Sequence, residues 1–250
     1  MVQDPRAERA TAPEAPAQHT PATRRSKTWE WIKSLAVAIT IFLVLRTFLI
    51  EAFRIPSGSM ERTLLIGDFL FVNKALYGAE IPLTGIHLPA FREPKRNDLV
   101  IFKSVEESRL TVVKRLVGIP GDTLSMDDDR LFVNGAPAKE PWVIRTDPLV
   151  DHEDPKMRAW QARYLVPGRD VASYRPTLKN WGPIVVPADS FFVMGDNRDN
   201  SYDSRYWGFL GRDRIRGRPL IVYFSYNPDG VLPLPILTAI RWRRLLARPR

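Results

Sequence analysis

The pattern of hydrophobic and polar positions changes once along this chain, near residue 50. Residues 31–50 form a predominantly apolar run of about the twenty residues that a bilayer span requires. Beyond it, short runs rich in β-branched and aromatic residues are separated by Gly, Pro and Asp, which is typical of strands joined by turns. The pattern therefore predicts a single N-terminal helix followed by a mainly β body.

Turn residues divide the β body into segments. Pro-Gly-Asp at 120–122 predicts a turn, and Asn-Gly at 134–135 predicts a two-residue hairpin, because both of its residues tolerate positive φ angles. Residues 140–183 are polar, rich in proline and weakly patterned, which indicates a peripheral excursion from the core. The predicted strands are 69–73, 99–103, 110–117, 130–133, 184–186, 191–194 and 219–226.

Three interpretations fit the apolar run: a buried helix of a soluble protein, a cleaved signal peptide and an uncleaved membrane anchor. A cleaved signal peptide is disfavoured because the run ends in Arg-Thr-Phe-Leu-Ile-Glu, without the small residues of a cleavage site. An anchor is favoured because Trp29 and Trp31 mark one interface and Arg46 is near enough to the other to extend its charge to water. Basic residues precede the run, so we expect a cytoplasmic N-terminus and a chain outside the cytoplasm after residue 50.

Charge narrows the choice of partner. The chain has 37 Lys and Arg residues and 28 Asp and Glu residues, and this net charge of +9 suits nucleic acid or an anionic membrane. Basic residues cluster beside the apolar run and at the C-terminus without a nucleic-acid-binding motif, which favours the membrane. Residues 234–247 predict either a short basic amphipathic helix on an anionic surface or a solvated tail. The absence of cysteine excludes disulfides, thiolate metal sites and a cysteine nucleophile.

Two serine hydroxyls follow the apolar run on a short bend. In the segment 55–60, Ile-Pro-Ser-Gly-Ser-Met, proline fixes one dihedral angle and glycine permits unusual ones. A flexible linker is one explanation of such a segment. Apolar residues on both sides are unusual for a solvated linker, so Ser57 and Ser59 are candidates for chemistry and Ser59 for a nucleophile.

A serine nucleophile needs a base, which is most often histidine. His19, His87 and His152 lie in the N-terminal tail or in loop-like stretches, and none has a convincing orienting partner. An aspartate from elsewhere in the chain would be needed to complete a Ser-His-Asp triad. That alternative is disfavoured but stays open.

Lysine is the other amine, and it acts as a base when burial lowers its pKa. A period of two along 110–117 places Lys114 on one face of a strand and Arg115 on the other, so one of these cations must lie on an apolar face. A lysine that protects an exposed edge strand from aggregation is the alternative.

A third segment, residues 195–208, is dense in short polar side chains that favour a loop with many local hydrogen bonds. Asp196, Asp199 and Asp203 suggest oxygen ligands for calcium. The spacing of an EF-hand is absent, however, and neighbouring arginines would repel a cation. We therefore expect no metal site.

These segments, in this order after an anchor, resemble the bacterial type I signal peptidases (leader peptidases), the Ser/Lys-dyad peptidases of family S26. The resemblance implies a mainly β fold: a single N-terminal transmembrane helix, then an all-β signal-peptidase-like catalytic domain with a peripheral β subdomain or insertion. It implies a membrane-bound serine endopeptidase that cleaves N-terminal signal peptides from exported pre-proteins after small residues (Ala-X-Ala), without a cofactor or metal. The segments that carry it are 55–60, 63–74, 96–103, 114–122 and 195–208.

The resemblance also implies a role for each residue. Ser59 would be the nucleophile and Lys114 the general base, while the Ser59 backbone N–H and the Ser57 hydroxyl would form the oxyanion hole. Ser201 would hold the Lys114 amine in place. The charges expected to support the site are Asp203, Arg205, Arg115 and Asp196. The residues expected to wall the apolar pockets for small substrate side chains are Phe53, Ile55, Pro56, Leu64, Leu70, Ile101 and Val113.

The chain departs from the family pattern at two positions near these motifs. Arg62 stands where the family often has proline, and Asn97 stands where it often has glycine. Neither is expected to supply a catalytic group.

The expected location is the bacterial inner (cytoplasmic) membrane, with the catalytic domain on the outer or periplasmic side. The expected partners are signal peptides of secreted pre-proteins and the lipid bilayer, without nucleic acid or metal. The alternative from another class is a non-catalytic, membrane-tethered β module that binds extended peptides. The expected segments are a flexible cytoplasmic tail (1–28), the anchor (29–50), the first part of the catalytic β domain (51–122), a peripheral subdomain (123–186), the second part of the catalytic domain (187–232) and a basic tail (233–250).

Overall fold

The computed structural model describes residues 27–81, 84, 86, 88–107, 109–147 and 149–250. The chain divides into two compact units, residues 1–41 and 42–250. Almost all of the expected flexible tail (1–28) lies outside the described residues, as do His19 and His87.

One long helix begins the described part of the chain. Helix α1 spans Lys27–Val44, and a π-helical turn continues it over Leu45–Leu49. The absence of Pro and Gly favours this helix, and it ends at Ile50, which has an extended backbone (φ −130°, ψ 132°). Among the described residues, Lys27–Leu49 is the one helical stretch long and apolar enough to cross a membrane, with a mean hydropathy of 2.0.

The larger sheet of the described residues has seven strands, and every pairing in it is antiparallel. They are β1 (Ile50–Arg54), β2 (Asp68–Asn73), β3 (Leu99–Lys103), β4 (Thr111–Gly118), β9 (Ser190–Met194), β10 (Leu210–Gly211) and β11 (Ile215–Ser225). Their order is β1-β2-β11-β3-β4-β9-β10, so β4 lies inside the sheet between β3 and β9. The five strands predicted in this part of the sequence are confirmed, whereas β1 and β10 were not predicted.

The smaller sheet has four strands in the described residues. They are β5 (Thr123–Asp127), β6 (Arg130–Val133), β7 (Ala136–Pro137) and β8 (Trp181–Val185), in the order β7-β6-β5-β8. The predicted hairpin is confirmed, because Asn134 (φ 54°) and Gly135 (φ 79°) join β6 to β7 with the positive angles of a type I′ turn. The predicted Pro-Gly-Asp turn is confirmed too, with Gly121 at φ 85° and the Asp122 N–H donating to the Ile119 carbonyl (3.0 Å).

A short helix brings part of the weakly patterned stretch 140–183 into the core. Helix α2 spans Pro155–Gln161, and Asp154 caps it by accepting hydrogen bonds from two backbone N–H groups of the first turn. Met157 on this helix is fully buried in a hydrophobic cluster with Leu178 and Trp181. The stretch, expected to be peripheral, thus contributes to the core; its buried residues are too widely spaced along the chain to produce a period.

The C-terminal segment does not form the amphipathic helix predicted for 234–247. The structure describes this segment throughout and shows a helix only at Pro235–Thr238, which is α4, and a 3-10 turn. The Leu246 N–H donates to the Val222 carbonyl of β11 (2.7 Å), and Arg244 forms an ion pair with the carboxylate of Asp68. The alternative of a solvated tail is therefore wrong as well. The backbone hydrogen bond and the ion pair stabilise this non-helical conformation of the C-terminal segment, although its apolar residues have the spacing of a helix.

Candidate active site

Residues 55–68, here named the Ser59 loop, lead from the end of β1 to Asp68, the first residue of β2. The Ile55 N–H donates to the Asp68 carbonyl (2.9 Å), which closes the loop at its base. Within the loop, a 3-10 turn places the half-buried Ser59 directly before the fully buried Met60. Ser59 therefore lies on a packed bend and not in a flexible linker.

Residues 195–208, here named the polar loop, pack against the Ser59 loop. The Asn197 N–H donates to the Ser59 carbonyl (3.0 Å). Gly195 allows this approach, because a Cβ at that position would lie 2.6 Å from the Ser59 carbonyl oxygen and closer still to the Ser201 hydroxyl. A side chain at position 195 would therefore push the two loops apart. Within the polar loop, a single helical turn, α3, spans Ser204–Trp207.

Lys114 lies on β4 and is 5% exposed. Its amine donates a hydrogen bond to Ser201 Oγ (3.0 Å), and the Ser201 hydroxyl donates in turn to Asp203 Oδ2 (2.7 Å). The interpretation of Lys114 as an edge-strand lysine is therefore wrong, because β4 has neighbours on both sides and the side chain is buried.

The surroundings of Lys114 change its proton affinity. Burial lowers its pKa to about 8, and the Arg205 guanidinium acts in the same direction. The carboxylates of Asp203 and Asp196 oppose this shift, Asp203 more strongly. At a pH of about 8, roughly half of the amine is therefore neutral and able to accept a proton.

Asp203 and Arg205 form a buried ion pair next to the lysine. Arg205 Nε donates to Asp203 Oδ1 (2.9 Å), and Arg205 Nη2 donates to Asp203 Oδ2 (3.0 Å). Burial alone would raise the pKa of Asp203, but the Arg205 charge holds it below its ordinary value. Arg205 also donates to the Arg198 carbonyl (2.7 Å), so the pair braces the polar loop from inside. Asp203 therefore stays ionised and anchors Ser201 and, through it, Lys114.

Arg115, the neighbour of Lys114 on β4, is buried as well. It donates two hydrogen bonds of 2.7 Å to the Asp196 carboxylate, and its guanidinium lies 4.1 Å from the centre of the Trp142 ring. Thr63 of the Ser59 loop donates to the same carboxylate (2.5 Å). Both cations of β4 are thus buried, because the polar loop supplies a carboxylate near each.

The aspartates considered as calcium ligands have other partners. Asp196 and Asp203 each pair with an arginine, and Asp199 accepts a hydrogen bond from the Asp147 N–H (2.9 Å). Among the residues that the structure describes, no group of three or more His, Cys, Asp and Glu side chains is arranged to hold a metal ion.

Ser59 and Lys114 line the same cavity, which has a volume of about 720 Å³. Over the described ranges, the Ser59 hydroxyl and the Lys114 amine are not hydrogen-bonded to each other, and the amine is held by Ser201. Five more residues predicted from the sequence also line the cavity. They are Phe53, Ile55, Pro56, Ser57 and Val113.

Leu64, Leu70 and Ile101, which were also predicted to wall the pockets, do not line this cavity. They are buried in a hydrophobic cluster that includes Ile55 and Val113. The structure therefore places these three side chains behind the cavity wall, where they support the residues at its surface.

Sequence analysis missed several residues that line the cavity. Tyr202 and Trp207 come from the polar loop, while Glu106 and Leu110 come from the connection between β3 and β4. The Tyr202 hydroxyl donates to the Glu106 carboxylate (2.7 Å) and joins these two parts of the rim. Tyr202 and Trp207 could have been found from the sequence, because they are large aromatic residues within a loop of short polar ones. Glu106 and Leu110 have no comparable sequence signal.

A histidine base finds no support in the described part of the chain. His152 is exposed and lies 6.5 Å from the Tyr206 ring, between centroids. It is not among the residues that line the cavity with Ser59.

The two residues that depart from the expected motifs share a backbone conformation. Arg62 has φ 77° and Asn97 has φ 72°, both in the left-handed region. Proline could not take the place of Arg62 in this conformation, because its ring fixes φ at about −65°. Asparagine adopts left-handed angles more readily than most residues, and the Asn97 carbonyl accepts a hydrogen bond from Arg115 (3.0 Å).

Known proteins resemble this chain over most of its length. The family model described as "Signal peptidase, peptidase S26" matches residues 28–224. Signal peptidase I of Pseudomonas aeruginosa is 35% identical over 224 residues, which cover 82% of this chain and 76% of the relative. Signal peptidase I T of Bacillus subtilis (strain 168) is 35% identical over 209 residues, which cover 82% of this chain and 91% of the relative. A solved signal peptidase I from Enterococcus faecalis V583 is 30% identical, covers 52% of this chain and 98% of its own, and has a TM-score of 0.35.

Proposed function

Because this chain belongs to the signal peptidases of the peptidase S26 family, hydrolases that cleave signal peptides, we propose that Ser59 is its nucleophile and Lys114 its general base. The substrates are signal peptides of exported pre-proteins, cleaved after small residues in an Ala-X-Ala pattern. No metal or cofactor takes part in this mechanism.

One observation carries the proposal: a buried lysine with a pKa lowered to about 8 lines the same cavity as a serine on a packed bend. A lysine in water, with a pKa of about 10.4, is almost entirely protonated at neutral pH and cannot act as a base. Lys114 is partly neutral under the same conditions, and Ser59 lines the same cavity on a bend that the buried Met60 holds in place.

The reaction proceeds in two stages. The neutral Lys114 amine accepts the proton of the Ser59 hydroxyl while Ser59 Oγ bonds to the scissile carbonyl carbon. The ammonium then gives this proton to the leaving amine as the C–N bond breaks, which leaves an acyl-enzyme. Water, deprotonated by the same amine, hydrolyses the acyl-enzyme and restores both side chains. Catalytic hydrogen bonds often shorten when substrate binds, so the direct Ser59–Lys114 hydrogen bond belongs to the complex.

Negative charge on the substrate oxygen is stabilised at the bend itself. The backbone N–H of Ser59 and the hydroxyl of Ser57 act as the donors. Ser57 is exposed and lines the cavity, so its hydroxyl is available to a bound peptide. Donors fixed by the fold are effective because they do not reorganise as charge develops.

The substrate binds as an extended strand. Residues Thr111–Val113 of β4 pair with β3, whereas pairing with β9 begins at Arg115. Within the described part of the chain, this end of β4 therefore has a strand on one side only, and it lines the cavity. A peptide added there gains main-chain hydrogen bonds and directs alternate side chains to the apolar wall. The wall that these side chains would meet is backed by a buried hydrophobic cluster, which suits small apolar side chains such as alanine.

The enzyme is anchored in the bacterial inner membrane by α1. The helical stretch Lys27–Leu49 has the length and hydropathy of a single span, and basic residues precede it. The N-terminus is then cytoplasmic, and the chain after residue 50 lies on the outer side, where exported pre-proteins emerge.

Cleavage of a purified pre-protein with an Ala-X-Ala site tests this function. The full chain in detergent micelles should cut after the second alanine, and a leucine at that position should block the cut. Ser59→Ala and Lys114→Met should abolish cleavage, whereas Lys139→Met, at an exposed position, should not change it. Full activity of either active-site variant would reject the assigned roles, and binding without cleavage by the wild type would favour a peptide-binding module.

A further inference from the structure

The segment that follows β11 turns back along that strand. Residues 240–247, here named the arginine strap, begin opposite the end of β11, where Ile240 forms a bridge with Tyr226. The Leu246 N–H then donates to the Val222 carbonyl (2.7 Å). The strap is therefore fixed by backbone pairing at both ends.

Two arginines of the strap bind the Ser59 loop. Arg244 donates to both oxygens of the Asp68 carboxylate (2.9 and 2.5 Å) and to the Thr63 carbonyl (3.0 Å). Arg241 donates to the Ile66 carbonyl (2.8 Å). The strap thus holds the second half of the loop, residues 63–68, at three points.

Asp68 is the buried end of the Ser59 loop. Its side chain is fully buried, and its carboxylate also accepts hydrogen bonds from the Leu65 N–H (2.9 Å) and the Ser225 hydroxyl (2.7 Å). An ionised carboxylate at such a position needs a cation, and Arg244 is its ion-pair partner. Without Arg244, the base of the loop would contain an unpaired charge.

From Thr63 the contacts continue to the serine and to β4. The Thr63 N–H donates to the carbonyl of Met60, the residue after Ser59 (3.1 Å). The Thr63 hydroxyl donates to Asp196, which binds Arg115 on β4. A displacement of residues 63–68 would therefore move the bend that carries Ser59 relative to the strand that carries Lys114.

We propose that the arginine strap positions the Ser59 hydroxyl for attack, with Arg244 and Arg241 as positioning residues. This inference rests on the proposed role of Ser59. Neither arginine lines the cavity, so both act through the Ser59 loop and not on the substrate. A misplacement of about 1 Å at a reacting group is enough to lower a rate about 100-fold.

Kinetics of full-length variants test the strap. Arg244→Met is expected to lower kcat about 100-fold and to leave KM within about threefold, because the substrate wall is intact. Arg244→Lys should recover part of kcat, since a lysine keeps the charge on Asp68 without the two-pronged contact. The pH midpoint of kcat/KM should stay at the wild-type value in both variants, because Lys114 keeps its surroundings.

Arg243→Met is the matched control. Arg243 lies in the same 3-10 turn as Arg244, is exposed, and has no hydrogen bond or ion pair within the described ranges. Its replacement should leave kcat, KM and deuterium uptake unchanged. In Arg244→Met, amides of residues 55–68 should exchange faster, while those of β5 and β6 should exchange as in the wild type.

Thermal unfolding of each variant defines a temperature at which all are folded for these assays. If Arg244→Met does not fold, Arg241→Met is the variant to assay. Arg241 donates only to the neutral oxygens of Ile66 and Asn227, so its loss leaves no buried charge unpaired, and a kcat about tenfold below the wild type is expected. A kcat equal to that of Arg243→Met in the folded variants would overturn the role of the strap. An inactive wild type would instead overturn the proposed function.

Discussion

The Lys114 amine donates its hydrogen bond to the Ser201 hydroxyl, 3.0 Å away, and this contact orients the lysine. Ser201 donates in turn to Asp203, which the charge of Arg205 keeps ionised. Because the amine acts as donor in this chain of hydrogen bonds, its lone pair is free to accept a proton whenever the lysine is neutral. Two parts of the chain, β4 and the polar loop, therefore combine to orient one amine.

The pH dependence of cleavage is expected to follow the ionisation of Lys114. Its pKa is lowered to about 8, so the neutral fraction rises from about a tenth at pH ~7 to about nine tenths at pH ~9. The base is the deprotonated form, and kcat/KM should therefore rise roughly tenfold across this range. Initial rates with a peptide substrate give the profile. A flat profile over the same range would contradict the role of Lys114.

Removal of the Ser201 hydroxyl is expected to release the lysine. In Ser201→Ala the amine loses its acceptor, and kcat should fall by about 10- to 100-fold while the fold stays intact. Ser125→Ala is a suitable control, because Ser125 lies on β5 in the smaller sheet and outside the cavity. Equal rates for the two variants would show that Ser201 does not orient the amine.

A methyl group at Gly195 is expected to separate the two loops of the site. Its Cβ would lie 2.6 Å from the Ser59 carbonyl oxygen, so Gly195→Ala should lose about 100-fold or more in kcat and should lower Tm. Gly58→Ala adds the same methyl in the Ser59 loop, where the nearest atoms are 3.5 Å or more away. This second variant should be much more active, and activities in the opposite order would refute the argument.

Loss of the buried partner of Asp203 is expected to destabilise the protein. Arg205→Met leaves an unpaired carboxylate in the core, which costs about 3–5 kcal/mol in the free energy of unfolding. The folded-state pKa of Asp203 is below its ordinary value. In the wild type, its contribution to the free energy of unfolding is therefore present above the pKa of the unfolded state and is lost as the pH falls through the pKa of the folded state.

Urea unfolding near neutral pH and in mild acid measures both effects. Arg145→Met is the control, because the Arg145–Asp129 pair is partly exposed and its loss should cost less than about 1 kcal/mol. If Arg205→Met and Arg145→Met lower the free energy of unfolding equally, burial of the Arg205–Asp203 pair does not explain the loss of stability.

The left-handed backbone at Asn97 predicts a simple stability series. At φ 72°, Asn97→Ala should lower the free energy of unfolding by about 1 kcal/mol, because a Cβ without a compensating polar group is disfavoured there. Asn97→Gly should be neutral or slightly stabilising. Thermal melts rank the stabilities of the wild type and the two variants. An alanine variant as stable as the glycine variant would exclude backbone strain at position 97.

The sequence predicted strands well where β-type runs are bounded by turn residues. The predictions at 99–103 and 130–133 coincide with β3 and β6. The first strand, Ile50–Arg54, was missed because the apolar helix leads into it without a polar break. The helix predicted for residues 234–247 was wrong because this segment pairs with β11. The spacing of apolar residues within the segment gives no information about that pairing.

Within the site, the sequence predicted residues and not their connections. The motifs identified Ser59 and Lys114 as a pair, and the structure brings them to one cavity. The contact between Arg244 and Asp68, in contrast, joins positions 176 residues apart. Single arginines in a basic tail give no sign of a distant buried carboxylate, so this contact required the three-dimensional structure.

The place of β11 in the larger sheet sets the order in which the site is completed during translation. Ser59 and Lys114 leave the ribosome early, but β2 and β3 flank a gap that only Ile215–Ser225 fills. A nascent chain stopped before that strand has both of the proposed catalytic side chains but lacks the sheet that positions them. We therefore expect hydrolytic activity to begin only after most of the polypeptide has been synthesised.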